Sequence, residues 1–378
     1  MKPQNQVILS IGSNQGDRKQ QLQNAIDMVH IEIGTVIKVS DLYETAAWGF
    51  EGDLFLNAVI LIHSQVAPSK IMTKIIAVEK KLGRQRSTSK HYESRVIDID
   101  VIAINQMIIN TKTLIVPHPQ LQNRRFVLQP MLDLNLDWIH PILNQNTETL
   151  LSNCCDNGSI TKIGKLVSPL SELQLFDFNY IAIEGNIGAG KTTLTNKIAE
   201  DFNAKTVLER FAENPFLPKF YKDQARFAFP LEMSFLADRY QQLTDDLAQF
   251  DLFKDFLIAD YHIFKSLIFA KVTLAEDEFR LYKNLFDIIY KEMPKPDLYI
   301  YLYQNTARLL QNIKLRGRSY EQDIPAAYLD KINLGYLDYI KSQTTLNVLV
   351  IDVSDKDFVK NQADYVFVLS EIQKKLRG

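Results

Sequence analysis

The eight residues Gly185-Asn-Ile-Gly-Ala-Gly-Lys-Thr192 constrain this chain more than any other stretch. An apolar run, Tyr180 to Ile183, precedes them, and Leu194, Ile198 and Phe202 follow at four-residue spacing. Strand, glycine-rich turn and helix in that order are the setting of a phosphate-binding P-loop. Gly185, Gly188 and Gly190 let the backbone curl until its N–H groups point inward at a phosphate. The helix opening near Lys191 adds the positive end of its dipole. Lys191 is placed to bridge the outer phosphates, and the Thr192 hydroxyl to hold Mg2+. The loop, with Asn186 as its remaining polar member, is therefore expected to bind a nucleoside triphosphate.

A chain of 378 residues exceeds one typical core and predicts two domains. A formal charge of −2 gives no global pull toward nucleic acid or an anionic membrane, so neither is expected as a partner. The two cysteines, Cys154 and Cys155, are adjacent, a poor start for a disulfide or a metal cage. The N-terminus carries no signal-peptide pattern, and no apolar run reaches membrane-spanning length. These features predict a cytoplasmic protein.

In the first half, strands are expected at Val7 to Ile11, Val36 to Tyr43, Phe55 to Ile62 and Val96 to Ile104, with a short one near Met107. A helix with Leu22, Ile26 and Val29 on one face follows the first strand, and Lys70 to Leu82 makes a second, stopped by Gly83. Strands outnumber helices and do not alternate with them regularly, which predicts an α+β half. On the strand Arg95-Val-Ile-Asp-Ile-Asp-Val-Ile102, Asp98 and Asp100 share one face while Ile97, Ile99 and Val101 line the other. Two carboxylates roughly 6–7 Å apart along a strand suit a pair of divalent ions clamped on a transferring phosphate chain. Arg84, Arg86, Arg95, Arg124 and Arg125 surround them in sequence, and guanidinium matches phosphate bidentately.

Gly12-Ser13-Asn14, Tyr43-Glu-Thr45 to Asn57, Arg95-x-x-Asp98-x-Asp100, and Val116-Pro-His118 to Asn123-Arg124-x-Phe126 together resemble hydroxymethyl-dihydropterin pyrophosphokinase, over about the first 150 residues. The resemblance implies a ferredoxin-like fold. It also implies transfer of a pyrophosphoryl group from ATP to a pterin hydroxymethyl group, with two Mg2+ on Asp98 and Asp100 and AMP released. By the same resemblance Arg84 and Arg95 stabilise the moving pyrophosphate, and His118 and Arg124 contact ATP. Thr45, Phe55, Asn57 and Phe126 form the pterin slot. Tyr92-Glu93-Ser94 stands where the family has Trp-Gly-Pro, and Ala46 replaces its Pro after the slot threonine.

From Leu151 to Asp177 the periodic pattern lapses, so the domains are expected at 1–155 and 178–378 with a linker over 156–177. Beyond it, Tyr180 to Ile183, Lys205 to Leu208, Asp255 to Ala259, Leu298 to Tyr303 and Asn347 to Ile351 alternate with helical sequence. They predict an α/β domain with a five-stranded parallel sheet. Ligands of such sheets gather at the carboxyl ends of strands, where Glu209 and Asp260 fall. Glu209 suits a base for a hydroxyl and Asp260 a holder of Mg2+, while Arg308, Lys314, Arg316 and Arg318 form a basic run able to close over phosphates.

Ile183-Glu-Gly-Asn-Ile-Gly-Ala-Gly-Lys-Thr192, Glu209 ahead of Glu213-Asn-Pro-Phe216, Phe229-Pro-Leu-Glu232 to Arg239, and Arg316-Gly-Arg318-Ser-Tyr-Glu321 resemble the deoxynucleoside kinases, from Asn179 to the C-terminus. The resemblance implies Glu209 as base for the sugar 5′-hydroxyl and Arg316 and Arg318 as lid arginines on ATP. It implies Glu321 on the 3′-hydroxyl, Glu232 with Arg239 on the nucleobase, and a homodimer through kinase helices. Two positions depart from the family: Tyr261 replaces an Arg whose charge Lys265 or a lid residue could supply, and Glu232 stands where Gln is common. A carboxylate only accepts hydrogen bonds, so it suits an exocyclic amine, and purine deoxynucleosides are expected, deoxyadenosine first.

The expectation is thus a bifunctional enzyme using ATP and Mg2+ on a dihydropterin and a deoxynucleoside. Two other readings stay open on sequence. The P-loop half could act on a nucleoside monophosphate or another small alcohol, and one half could be a binding or regulatory module without chemistry.

Overall fold

The protein is described by a computed structural model covering residues 4–49, 52–85, 94–171, 173, 175–210, 214–248, 254–291 and 293–377. Arg86, Tyr92, Glu93 and Glu213, named above, lie outside the described residues. The chain divides into two compact units, Met1–Leu173 with Asn361–Phe367, and Gln174–Lys360 with Val368–Gly378.

The first unit runs β1 (Asn5–Ser13), α1 (Arg18–Glu32), β2 (Thr35–Val39), β3 (Asp41–Thr45), β4 (Phe55–Ser64), α2 (Pro68–Lys81) and β5 (Asp98–Ile104). After it come the small ribbon β6 (Ile109–Asn110) and β7 (Ile115–Val116), then α3 (Arg125–Asp133), α4 (Thr147–Ser152) and β8 (Ile160–Lys165). The sheet order is β5-β1-β4-β3-β8, with β2 also on β4, and every pair is antiparallel. This βαββαβ core is the ferredoxin-like arrangement. Val36 to Tyr43, expected as one strand, is two. Ser40 separates them, its backbone N–H donating to Val59 O while its hydroxyl accepts from Val59 N. Within the segment read as linker, β8 adds a strand to the edge of this sheet.

Alternation along β1 sets the two faces of the sheet. Val7, Leu9 and Ile11 pack with Leu22 and Ile26 of α1 and Ile71 and Ile75 of α2. Ile8 points the other way, into a second cluster with Val127 and Leu128 of α3. Ser10 and Gly12 continue that second face beyond the apolar cluster, opposite Asp100 and Asp98 of β5. The site therefore lies where the apolar surface of the α3 face ends.

In the second unit the order is β9 (Tyr180–Gly185), α5 (Lys191–Asp201), β10 (Lys205–Val207), α6 (Leu217–Phe220), α7 (Gln224–Ala248), β11 (Leu257–Ala259), α8 (Phe264–Thr273) and α9 (Glu276–Tyr290). β12 (Leu298–Tyr303), α10 (Thr306–Arg316), α11 (Ala326–Ser342), β13 (Val348–Asp352) and the part of α12 (Gln362–Arg377) from Val368 onward complete it. The five strands are parallel in the order β10-β11-β9-β12-β13. β9 is central, with connections leaving to both sides, so the crevice of such a sheet opens at its carboxyl end, directly at the P-loop. Among the described residues no helix is long and apolar enough to cross a membrane.

Candidate active sites

A cleft opens on the first unit, lined by Thr45, Phe55, Asn57, Arg95, Asp98, Asp100, His118, Arg124 and Phe126. Three strands and the turn leading into α3 thus bring together every first-half residue to which the resemblance gave a role, save one; Arg125 does not line the cleft. Asn57 donates to the Thr45 hydroxyl at 2.8 Å, which fixes the orientation of its amide. Arg84 is the exception: it reaches Asp98 at 2.6 Å and pairs with Glu79 without lining the cleft. Arg95 holds the other oxygen of Asp98 at 2.7 Å, and Arg124 reaches Asp100 at 3.1 Å.

Burial, and then the charge of Asp98, push Asp100 up to about 6 despite Arg124. Two acids crowded enough to oppose each other's ionisation are what a divalent cation relieves. Among the described residues no group of three or more His, Cys, Asp or Glu side chains is arranged to hold a metal. A pair fits Mg2+, which takes one or two carboxylates and completes its shell with substrate phosphates and water. His118 is brought down to about 4 by burial and by Arg124, so it is neutral at pH 7.

Two contributors escaped sequence reading. Trp48 lines the cleft, tilted over Phe126 with ring centroids 6.5 Å apart, and the Arg124 guanidinium lies 5.2 Å from the Trp48 ring. Glu79 of α2, 2 % exposed, accepts from the Ile99 backbone N–H at 3.0 Å and from Arg84. It orients Arg84 from behind. A lone Glu inside a helical pattern reads as a solvated residue, so only the fold reveals it.

In the second unit, Gly188 and Gly190 have φ of +84° and +87°, and a Cβ on Gly190 would stand 2.8 Å from the Phe358 ring. Glycine is required there on both counts. Lys191 donates to the carbonyls of Gly185 at 2.8 Å and Asn186 at 3.0 Å. Burial, with Lys265 nearby, brings it down to about 8. Thr192 donates to Asp260 Oδ2, and the Asp260 Oδ1 accepts from Glu209 N at 2.8 Å. Hydroxyl and carboxylate thus already touch where one Mg2+ would need both. Asn186 turns its side chain to Leu329 O and Asn333 Oδ1, each at 2.8 Å, which anchors the loop from below.

Glu209, Glu232, Arg239, Arg316, Arg318 and Glu321 share one cleft with Lys191, Thr192 and Asp260. α7 supplies Leu231, Glu232, Phe235 and Arg239 from one face of a single long helix. Arg239 does not pair with Glu232. It donates twice to Glu209, at 2.9 and 2.6 Å, and once to the Ser266 hydroxyl, while Lys265 reaches the other Glu209 oxygen at 2.7 Å. Burial would raise Glu209, yet Lys265 and Arg239 outweigh it and hold the carboxyl well below its usual range. Tyr261 is fully buried and donates to Gln242, while the cations on Glu209 are Lys265 and Arg239. Glu321 takes both lid arginines, Arg316 and Arg318. The walls missed in sequence are aromatic: Tyr221, Phe235, Phe269 and Tyr328. The helical setting of the last three had no feature to set them apart from core.

Residues 181–377 match the family model described as deoxynucleoside kinase, and residues 8–136 that described as 7,8-dihydro-6-hydroxymethylpterin-pyrophosphokinase. A deoxyguanosine kinase of Bacillus subtilis is 38% identical over 198 residues, spanning 51% of this chain and 96% of that protein. A deoxyadenosine/deoxycytidine kinase of the same organism is 31% identical over 51% of this chain and 90% of its own length. A 2-amino-4-hydroxy-6-hydroxymethyldihydropteridine pyrophosphokinase of Porphyromonas gingivalis is 40% identical over 138 residues, 36% of this chain and 93% of that protein. With the P-loop cleft on one unit and the paired aspartates on the other, the chain belongs to the deoxynucleoside kinase family through its second half and to the hydroxymethylpterin pyrophosphokinase family through its first.

Proposed function

We propose that the chain carries out two ATP-dependent transfers at separate sites. The first moves a pyrophosphoryl group to the hydroxymethyl oxygen of 6-hydroxymethyl-7,8-dihydropterin and leaves AMP. The second moves a phosphoryl group to the 5′-hydroxyl of a purine deoxynucleoside and leaves ADP. The observation that carries this reading is the convergence, in each unit, of every ingredient such a transfer needs in one cleft.

In the first site the flat pterin lies between Phe55 and Phe126 with Asn57 and Thr45 on its edge, and the arginines gather the phosphate chain. Asp98 and Asp100 hold Mg2+, which when bound offsets the charge on the transferring oxygens. In the second, Glu209 accepts the 5′-hydroxyl proton. Lys265 and Arg239 keep it ionised and fixed in place. Glu321 receives the 3′-hydroxyl, and Arg316 and Arg318 move from it onto the phosphates. Thr192 and Asp260 hold Mg2+ beside the P-loop. An acceptor bearing its own phosphate would need further cations by Glu209, and Arg210 is exposed and outside the cleft.

The kinase units pair through α9, where Leu281, Leu285 and Ile288 form an exposed apolar stripe at helical spacing. A cytoplasmic location accords with Cys154 and Cys155, both free. The test is one assay of the full chain with ATP and Mg2+, offering the dihydropterin and each of four deoxynucleosides, with AMP and ADP resolved. AMP with the pterin and ADP with purine deoxynucleosides is expected. AMP alone, or ADP only with thymidine or deoxycytidine, refutes the second half of the reading.

A further inference from the structure

Glu232 has one committed oxygen and one that is not. Oε1 accepts from the Thr273 hydroxyl at 3.0 Å. Oε2 has no hydrogen-bond partner although the side chain is buried, and the residue lines the nucleoside cleft. Leaving a buried carboxyl oxygen unmatched is costly, so the site is built for a ligand that completes it. Arg239, the cation that would have matched it, is occupied by Glu209 and Ser266.

Purines differ at the edge such a group meets. Guanine presents two adjacent donors, N1–H and the 2-amino group. Adenine presents one donor, the 6-amino group, beside an acceptor, N1. An ionised carboxyl offers two acceptors, and a protonated one offers an acceptor and a donor. We propose that Glu232 selects between the two purines by its protonation state, taking guanine as the carboxylate and adenine as the acid. This inference rests on the purine deoxynucleoside kinase reading and deepens it.

The surroundings allow both states. The Thr273 hydroxyl also lies 3.0 Å from Phe269 O, so its single proton can go to Oε1 or to that carbonyl. The charged and titratable groups facing Glu232 come from six parts of the unit. They are Arg239 on its own helix, Lys265 on α8, Glu209 after β10, Tyr282 on α9, and Tyr221 and Tyr328 from the segment after α6 and from α11. Burial dominates, with Arg239 and Thr273 opposing it, and the carboxyl is pushed up to about 7. Both bases keep their neutral forms around that pH, so the enzyme carries the titration.

The experiment is a competition between deoxyguanosine and deoxyadenosine for the full chain with ATP, at pH 6, 7 and 8. A ratio of kcat/KM values cancels every group that acts on both substrates alike. The deoxyguanosine preference should rise toward tenfold per pH unit, as the ionised-to-protonated ratio does. In Glu232→Gln, whose amide shows one acceptor and one donor at every pH, the ratio should be flat and lie on the adenine side. A flat ratio in the wild-type chain, or an unchanged slope in Glu232→Gln, overturns the inference while leaving the kinase reading intact. Turnover of neither purine, with AMP still formed from the dihydropterin, overturns both.

Discussion

Arg239 closes on Glu209 with two nitrogens, Nε at 2.9 Å and Nη2 at 2.6 Å from the same carboxylate oxygen. Arg239 lies seven residues after Glu232 on α7, and the family resemblance implied a joint role for the two in reading the base. The pairing places both of these nitrogens on the carboxylate proposed as the base. Both partners are buried, with side chains 4 and 12 % exposed. Removing one partner of such a pair costs about 3–5 kcal/mol, and the retained Lys265 puts Arg239→Ala at the lower end. The second unit should melt earlier and deoxynucleoside turnover should fall at least a hundredfold, with AMP formation from the dihydropterin unchanged. Calorimetry and the two assays check this, and an unaltered melting profile would contradict the pairing.

Tyr261 and Lys265 separate two ways of losing a family arginine. The Tyr261 hydroxyl is buried and tied to Gln242, so Tyr261→Phe should cost about 1 kcal/mol of stability and leave turnover nearly intact. Lys265→Met should remove the cation beside Glu209 and reduce deoxynucleoside kcat by two orders of magnitude or more. Equal effects of the two substitutions on kcat would show that Lys265 is not the working cation.

Most of the scaffold was legible because local chemistry and long-range packing agree in these stretches. The alternation from Ile97 to Val101 fixed which face carries Asp98 and Asp100, and the β5–β1 register bears it out. Gly188 and Gly190 were readable because only glycine tolerates their backbone angles. What could not be read depends on partners distant in sequence. Glu79 reaches Arg84 and the β5 backbone only once α2 lies on the sheet. Arg239 meets Glu209 from thirty positions away, and no spacing rule announces it. Aromatic residues on helices serve core and cleft with one pattern, which hid Phe235, Phe269 and Tyr328.

If the two clefts work independently, single substitutions divide the activities. Lys191→Ala should abolish ADP formation with deoxynucleosides and spare AMP formation. Asp98→Asn, which also releases Arg84 and Arg95, should do the reverse by at least a hundredfold. Loss of both activities in either variant would refute separate sites.

The stripe on α9 makes an assembly prediction. Leu285→Glu with Ile288→Glu places two charges on an exposed face and should leave folding intact. It should halve the mass seen by light scattering if that face pairs two kinase units. A wild-type chain that is already monomeric at micromolar concentration would sink the pairing.

The raised Glu232 carboxyl also has a signature in stability, independent of any substrate. Its folded value of about 7 lies above the ordinary 4.5, so the folded state binds this proton more tightly than the unfolded chain does. The contribution is therefore complete below pH 4.5, is lost as pH rises through 7, and is constant above that. Its size over the window is about 3 kcal/mol. Glu232→Gln has no such proton, so the wild type should lose stability relative to the variant between pH 4.5 and 7.5. Both tryptophans, Trp48 and Trp138, lie in the first unit. Urea unfolding followed by tryptophan fluorescence thus serves as an internal control, while tyrosine near-ultraviolet dichroism follows the second unit. A difference that stays constant with pH in the tyrosine signal would show that Glu232 remains ionised throughout, and the pH-dependent choice of purine would fall with it.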